Sequence, residues 1–292
     1  MIKAFSITYI LFYLISITFG QNLKDIKSNK DKDIKLVFAK NSFHNIKIED
    51  AKATAQILAN HIKKIKNLKG DFIVELVSKE NEIYENHKDF DLLLLTTEQY
   101  LKLKDKMPLE PFCVNYANGH YGFIYHLIVN IKDNINNIDQ LKGESIYIQA
   151  HTQDQAASTW VNKLLKDANI KNKENFFKSI IIDNKATNVL LPVFFNKAKA
   201  CVITDASLNL LMELNPAIKN QIKILYTSEP IIVGLTCLNS DRKNEIGYRV
   251  LKDVLPTLQD NQYGKQFLDL FRAEKLILFK EEYLKGYYNL TK

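Results

Sequence analysis

Glycine and cysteine are scarce in this chain of 292 residues, with nine and three copies. So few glycines leave little material for loops that cradle phosphates, and the sequence has no P-loop and no G-x-G-x-x-G motif. It also lacks H-E-x-x-H and G-x-S-x-G, which mark zinc proteases and α/β-hydrolases. None of the six histidines forms a metal-ligand pair at helical spacing. These absences argue against an enzyme, and we expect no cofactor and no metal site.

The three cysteines, Cys113, Cys201 and Cys237, lie far apart in sequence and form no C-x-x-C pair. In an oxidising compartment two of them could form a disulfide. Cys113 and Cys237 are then the pair to choose, because both lie in apolar segments typical of strands. The alternative, which we favour, is three buried and reduced thiols.

The amino terminus has the order of a secretory signal peptide. Lys3 precedes an uncharged, mostly apolar run over residues 4–19, and Gly20 then supplies a small residue before polar Gln21. A membrane anchor is the alternative, but the run falls short of the roughly 20 apolar residues that span a bilayer. We therefore expect residues 1–20 to be cleaved near Gly20 and the mature chain to be periplasmic.

Charge and composition predict a globular protein that binds no nucleic acid. The chain is 46% hydrophobic and has 40 Lys and Arg against 33 Asp and Glu, a formal net charge of +7. Apart from residues 63–69, which we interpret as the solvated end of a helix, the basic residues are scattered among acids. Such a mild positive field still favours the capture of a small anion.

Strand-like and helix-like segments alternate along the chain, which predicts an α/β fold with mostly parallel sheets. The predicted strands are 34–38, 71–77, 91–95, 121–129, 145–149, 179–182, 200–203, 222–226 and 231–238. The longer predicted helices are 48–66, 154–168, 186–195 and 206–214, and the chain from residue 242 onward is predicted to be helical. Two lobes in such a chain would be joined by strands at 121–130 and 231–238.

Several segments then resemble a known family. Val189–Pro216 reads VLLPVFFNKAKACVITDASLNLLMELNP and resembles the element that carries a helix into a strand in phosphonate-binding periplasmic proteins. Residues 139–146 (DQLKGESI), 89–94 (DFDLLL) and 226–230 (YTSEP) resemble further family segments, in family order. The resemblance covers roughly residues 34–285, and the order and spacing of these segments are more specific than any one segment alone.

The resemblance implies a two-lobed type 2 periplasmic-binding (Venus-flytrap) fold that closes on a small ligand. We expect a first lobe from residues 34–125 and 236–292, and a second lobe from residues 126–235. The implied partner is an ABC permease, and a membrane sensor kinase is the alternative. We expect the protein to be a monomer.

One departure affects the expected ligand. In the family, a loop rich in serine and threonine begins a helix of the second lobe and holds the phosphonate oxygens. Here residues 151–155 (HTQDQ) keep one hydroxyl and place Asp154 where an anion would lie, while Lys199 replaces a family acid. The fold should survive these changes, but the ligand class is open.

Ligands of parallel α/β sheets bind at the carboxyl ends of strands. This rule selects Ser42, Phe43, Thr96, Thr97, Tyr100, His151, Thr152, Gln153, Asp154, Lys185, Asn188, Thr204 and Asp205 as ligand-binding residues. Lys185 is the candidate for pairing with an anion, and Tyr100 for stacking on a ligand or merely packing. Ser42, Thr96, Asp154 and Asp205 could instead be ordinary helix caps, and His151 a surface residue.

The sequence thus predicts a solute-binding protein for a small, anionic, phosphonate- or phosphate-like ligand. A sensor subunit that presents ligand to a kinase is the second hypothesis, and an exported enzyme that uses His151 and Asp154 is the third. The sequence does not distinguish an importer from a sensor, because partner surfaces carry no motif.

Overall fold

The computed structural model describes residues 32–42, 47–150, 155–170 and 175–291. The predicted signal peptide, Phe43 and residues 151–154 lie outside this part of the chain. Two β-sheets flanked by helices make up the fold, which confirms the predicted α/β class. Each sheet and the helices packed against it form one lobe.

The first lobe contains seven strands in the order β12-β4-β11-β3-β1-β2, with β5 paired to β4. The strands are β1 (Ile34–Ala39), β2 (Phe72–Val77), β3 (Leu92–Thr96), β4 (Leu109–Ala117), β5 (His120–Tyr121), β11 (Gly234–Asn239) and β12 (Lys275–Leu278). The helices are α1 (Ile48–Ile65), α2 (Glu80–Asn86), α3 (Thr97–Leu103), α7 (Ile246–Val254) and α8 (Gln262–Asp269). Apolar side chains fill both faces of this sheet, with α1, α7 and α8 on one face and α2 and α3 on the other.

The second lobe contains five strands in the order β10-β6-β9-β7-β8. The strands are β6 (Tyr125–Asn130), β7 (Ser145–Gln149), β8 (Ser179–Asp183), β9 (Ala200–Thr204) and β10 (Ile222–Thr227). The helices are α4 (Ala156–Asp167), α5 (Ala186–Phe194) and α6 (Asp205–Leu214), and α9 (Lys285–Thr291) ends the chain. Helix α4 covers one face of the sheet, while α5 and α6 cover the other.

Both sheets are mixed, so the prediction of mostly parallel sheets is wrong. The parallel pairs are β1–β2, β1–β3, β7–β8 and β7–β9, whereas β4, β6 and β11 pair antiparallel to all their neighbours. The difference arises where the chain passes between lobes, because β6 and β11 enter their sheets from the opposite lobe rather than through a covering helix.

Three free, buried thiols are observed, which is the outcome favoured from the sequence over a Cys113–Cys237 disulfide. All three cysteines are free and buried, and Cys113 pairs in register with Thr236 rather than with Cys237. Burial raises the pKa of the Cys113 thiol to about 12. It raises those of Cys201 and Cys237 as well. These thiols are therefore core residues that stay protonated at neutral pH.

The chain crosses between the lobes at two neighbouring segments. The predicted run at 121–129 is two strands, β5 and β6, which belong to different sheets, and residues 228–233 return the chain from β10 to β11. Phe123 and Ile231 exchange backbone hydrogen bonds of 2.9 and 2.8 Å between these segments. Gly122 permits the close approach, because its φ is +67° and a Cβ there would lie 2.5 Å from the carbonyl oxygen of Ile231.

We expect Gly122→Ala to destabilise the protein more than Gly119→Ala. Both glycines have a left-handed φ, but a Cβ at Gly119 would meet nothing within 4 Å. The Gly119 variant therefore loses only the left-handed preference, about 1–2 kcal/mol, while the Gly122 variant must also displace the Ile231 backbone. Urea denaturation of the two variants measures the difference, and equal losses would show that the crossing segments move apart freely.

A third connection comes from the end of the chain. Leu284 packs in the first lobe, while Leu290 of α9 packs in the apolar core of the second lobe. The last helix, which we predicted within the first lobe, thus lies against α4 of the second. Gly286 lies directly on the crossing segment, where a Cβ would be 2.0 Å from the carbonyl oxygen of Pro230.

Candidate ligand-binding cleft

A cleft lies between the lobes beside the crossing segments and holds about 910 Å³ of space between atoms, its open mouth included. The first lobe lines it with Ser42, Leu94, Cys113, Asn115, Leu235, Thr236, Leu270, Phe271 and Arg272. The crossing segments add Phe123, Val233 and Gly234, and the second lobe adds Tyr125, Gln149 and Thr204. The wall is mostly apolar with a few polar groups, which is the usual composition of a small-molecule site.

Ser42 supplies a hydroxyl to the wall from the end of the 3-10 turn (Lys40–Ser42) that follows β1. The residue is 9% exposed, and its Oγ finds no hydrogen-bond partner within the described ranges. A buried hydroxyl without a partner costs about 1–3 kcal/mol, so such groups usually have a function. Because Ser42 lines the cleft, its hydroxyl is available for a hydrogen bond with a group that enters the cleft.

Gln149 and Thr204 form the wall of the second lobe, at the carboxyl ends of β7 and β9. The Gln149 amide donates to Ser207 Oγ at 2.8 Å, and its Oε1 accepts from the Thr204 backbone N–H at 3.1 Å. The Thr204 hydroxyl in turn accepts from the Ser207 N–H at 3.3 Å and caps α6. This network fixes the direction of both wall residues before any ligand arrives.

Arg272 brings the only charge among the described lining residues. It is exposed, lies three residues after the end of α8, and has a left-handed φ of 52°. Its N–H donates to the Asp269 carbonyl at 3.1 Å, so it occupies a helix C-terminal position at which glycine is preferred. The backbone at this position favours glycine, yet the residue is an arginine that lines the cleft.

The structure places Thr96, Thr97 and Tyr100 outside this described wall. Thr96 caps α3, accepting from the Gln99 N–H at 3.2 Å in a capping box. Thr97 is fully buried and donates its hydroxyl to the Ile232 carbonyl at 2.7 Å. Tyr100 packs in the core against Phe279, and burial raises its pKa to about 12. The Thr96 and Thr97 hydroxyls and the Tyr100 ring therefore stabilise the fold at the point where β3 ends.

Lys185 and Asn188 lie at the end of the edge strand β8, also away from the described lining. The Lys185 N–H donates to Asp183 Oδ1 at 2.7 Å, and the Asn188 amide donates to Oδ2 at 2.9 Å. These bonds hold the pKa of Asp183 below its ordinary value. An anion next to Lys185 would therefore meet the Asp183 carboxylate, which makes this pair a poor anion site.

Asp205 begins α6 and forms a hydrogen bond across the lobes. Its Oδ2 lies 2.7 Å from Nε2 of His120, which belongs to the sheet of the first lobe. His126 lies nearby and bonds Thr227 Oγ1 at 3.0 Å. Burial holds the pKa of His126 below its ordinary value, against the opposing effect of Asp205. Asp205 thus contacts the other lobe through His120 and is absent from the described cleft wall.

Of the predicted site residues, Ser42 and Thr204 lie together on the cleft. Phe43, His151, Thr152, Gln153 and Asp154 lie outside the described residues. Sequence reasoning missed Asn115, Gln149, Thr236 and Arg272. One available signal was the rarity of arginine, since the chain has three arginines among 40 basic residues.

Within the described ranges, no group of three or more His, Cys, Asp or Glu side chains is placed to hold a metal ion. Among the helices in those ranges, none combines the length and the apolar character needed to cross a bilayer.

A family model described as "ABC transporter, phosphonate, periplasmic substrate-binding protein" matches residues 49–283. The chain belongs to this family. The resemblance predicted from the sequence is thereby confirmed, and membership implies a periplasmic location and a role in binding substrate for an ABC transporter. No curated protein sequence matches the chain.

Solved structures share the fold at low identity. XAC2383 from Xanthomonas citri, bound to ATP, has a TM-score of 0.60 at 11% identity and covers 89% of this chain and 95% of its own. PhnD1 from Prochlorococcus marinus (MIT 9301), in complex with methylphosphonate, has a TM-score of 0.56 at 15% identity, with coverages of 89% and 97%. A binding protein component of an ABC phosphonate transporter from Pseudomonas aeruginosa has a TM-score of 0.55 at 14% identity, with coverages of 89% and 86%.

Proposed function

We propose that this binding protein captures a small anionic ligand of the phosphonate or phosphate class in the interlobe cleft and delivers it to an ABC importer. The observation that carries the proposal is Arg272, a strained arginine that supplies the only charge on the described wall. A guanidinium forms paired hydrogen bonds with phosphorus oxyanions, for which its planar fork is suited. The methylphosphonate and ATP held by PhnD1 and XAC2383 support the same ligand chemistry.

Binding would couple to closure because the wall has two halves. Ser42 and Arg272 come from the first lobe, and Thr204 comes from the second, so one ligand can contact both. Two crossing segments joined by the Phe123–Ile231 pair provide a narrow hinge between them. A ligand that bridges the halves stabilises the closed form, which the importer then recognises.

We also propose that ligand is released unchanged, by a protein acting as a monomer. The described wall holds no His, Asp, Glu or Lys that could act as a general base. Its one thiol, Cys113, has a pKa raised to about 12 and is therefore protonated at neutral pH. Ser42 and Thr204 thus have no activating partner on that wall, and nucleophilic chemistry requires one. A sensor role, with a kinase in place of the importer, would use the same cleft.

We expect phosphorus oxyanions to stabilise the chain lacking residues 1–20 in a thermal-shift panel. The panel contains phosphate, phosphite, methylphosphonate, alkylsulfonates, amino acids and an organic cation. A ligand at about 100 times its Kd adds about 2.7 kcal/mol of stability, which is easily measured. A shift with the amino acids or the cation alone would overturn the anionic ligand.

Two buried serines provide a matched control for this panel. Ser42 has no partner among the described residues, whereas Ser207 accepts from Gln149. Ser42→Ala should weaken anion binding several-fold while leaving the ligand-free protein as stable as before or more so. Ser207→Ala should lower stability by about 1 kcal/mol through loss of its hydrogen bond. Unchanged affinity in Ser42→Ala would remove that hydroxyl from the site.

A further inference from the structure

The last helix, α9, contacts both lobes at once. Leu284, directly before the helix, is fully buried in the first-lobe core, and Tyr288 packs against the same core. Tyr287 and Leu290 pack instead against the core of the second lobe. Tyr288 lies about 100° around the helix from Tyr287, whereas Leu290 lies three residues after Tyr287 and shares its face. One face of α9 therefore contacts the first lobe and another contacts the second.

The same helix lies on the segment that returns the chain between the lobes. Gly286 is buried there, and a Cβ at this position would lie 2.0 Å from the carbonyl oxygen of Pro230. Glu229, one residue earlier, accepts a hydrogen bond of 2.9 Å from the Asn289 amide and lies 3.4 Å from Lys285 Nζ. Because packed surfaces deform little, a rotation of the lobes about this segment must separate α9 from one of them.

The attachment of α9 to the first lobe is the stronger one. The helix follows β12 after a short 3-10 turn (Glu281–Leu284), and the ring of Tyr283 in that turn stacks on Tyr121 of β5 with 4.1 Å between centroids. Opening of the lobes would therefore pull Tyr287 and Leu290 away from the second lobe. Leu290 is 9% exposed in the structure, so its exposure to water opposes opening.

We propose that α9 is a strap that resists opening of the lobes. It keeps the ligand-free protein near the arrangement described above, in which both halves of the cleft wall face the same space. A ligand then binds without having to draw the lobes together from a wider opening, and this preorganisation raises affinity. The strap rests on the contacts of α9 and on no particular ligand, and only its effect on affinity rests on the proposed function.

Small-angle X-ray scattering of ligand-free Leu290→Ala, in the chain lacking residues 1–20, tests the strap. The variant removes the apolar contact of α9 with the second lobe, so its radius of gyration should exceed that of the wild type. Circular dichroism checks that the variant is folded. Equal radii of gyration in the folded variant and the wild type would overturn the proposal.

Leu141→Ala is the matched control. Leu141 is also a buried leucine of the second-lobe core, but it belongs to the 3-10 turn Ile138–Leu141 and not to the strap. Both variants should lower the free energy of unfolding, because each leaves a cavity in that core, and only Leu290→Ala should expand the ligand-free protein. An equal expansion in Leu141→Ala would show a general loosening of the lobe and overturn the strap. If Leu290→Ala does not fold, Tyr287→Ala replaces it, since Tyr287 is only partly buried on the same face.

Calorimetry with methylphosphonate measures the effect of the strap on affinity. In Leu290→Ala the Kd should rise, about fivefold if the arrangement that binds falls to about one fifth of the ligand-free population. Saturation with this probe should return the radius of gyration to the saturated wild-type value. An unchanged Kd in an expanded variant would overturn the preorganisation. If methylphosphonate binds neither protein, the proposed ligand is overturned, while expansion of ligand-free Leu290→Ala still supports the strap.

Discussion

Arg272→Gly should weaken binding of a phosphorus oxyanion roughly 10- to 150-fold, since a charge-assisted hydrogen bond contributes about 1.5–3 kcal/mol. The free protein should be as stable as the wild type, or more stable by up to about 1 kcal/mol. This second effect follows from the backbone: φ at position 272 is 52°, a value at which glycine is relaxed and arginine is strained. Calorimetry and urea denaturation of one variant measure both effects.

Two further variants show why the affinity falls. Arg272→Lys keeps the charge but loses the planar fork, and it should bind with intermediate affinity. Arg249→Ala removes the same charge from an exposed position on α7, outside the described cleft wall, and should leave affinity nearly unchanged. If Arg249→Ala weakens binding as much as Arg272→Gly, the loss of affinity arises from the overall electrostatic field of the protein and not from a contact between Arg272 and the ligand.

Arg242→Ala should produce the largest loss of stability, about 3–5 kcal/mol at neutral pH, because it leaves a buried carboxylate without its cation. Arg242 Nη1 lies 3.2 Å from Asp91 Oδ2, and Nη2 lies 2.6 Å from Glu245 Oε2. Asp91 is 1% exposed and also accepts from the Lys35 N–H at 2.8 Å. The loss is a large fraction of the 5–15 kcal/mol that stabilises a typical domain.

The loss of stability in Arg242→Ala should also depend on pH. Burial raises the pKa of Asp91 from 3.8 to about 6, although the Lys35 hydrogen bond and Arg242 act in the other direction. The folded-state value lies above the unfolded one, so stability from Asp91 is present below pH 3.8 and is lost as pH rises through about 6. Without Arg242 the pKa rises further. The penalty of the variant should therefore be larger at pH 8 than at pH 5.

A double-mutant cycle with Asp91→Asn isolates this pair. In the Asp91→Asn background, Arg242→Ala should cost less and should show less difference between pH 5 and pH 8, because the fully buried carboxylate is gone and only the partly exposed Glu245 loses its cation. Urea denaturation at the two pH values provides the measurement. A penalty below about 1 kcal/mol in the single variant, or the same pH dependence without Asp91, would contradict this account.

Most strands and helices could be predicted from the sequence, because the spacing of the apolar residues and the residues that end each segment indicate the same type of element. The strand at 145–149 has the predicted bounds, and the helix predicted at 48–66 is observed as Ile48–Ile65. Strand β4 (Leu109–Ala117) was missed, and it contains Pro111, which argues against a strand because proline cannot donate to a sheet. Strand β12 was missed because it has only four residues and lies in a segment that resembles a helix.

The same two omissions explain two of the four residues missed in the cleft. Asn115 lies on β4, and Arg272 lies in the turn before β12. The rule that ligands bind at the carboxyl ends of parallel strands could find Ser42 and Thr204, which follow β1 and end β9. It could not distinguish them from Thr96 and Thr97, since a capping hydroxyl and a ligand-binding hydroxyl occur at the same place in the sequence.

The position of β11 between β3 and β4 has a consequence for the order in which the chain folds. All five strands of the second sheet come from one continuous stretch, residues 125–227, whereas the first sheet stays divided until residues 234–239 have been synthesised. Contacts between sequence-distant segments form slowly. The lobe that begins later in the gene can therefore complete its sheet first, while β3 and β4 keep the unpaired edges that β11 later joins. This reverses the usual order, in which amino-terminal domains fold first during synthesis.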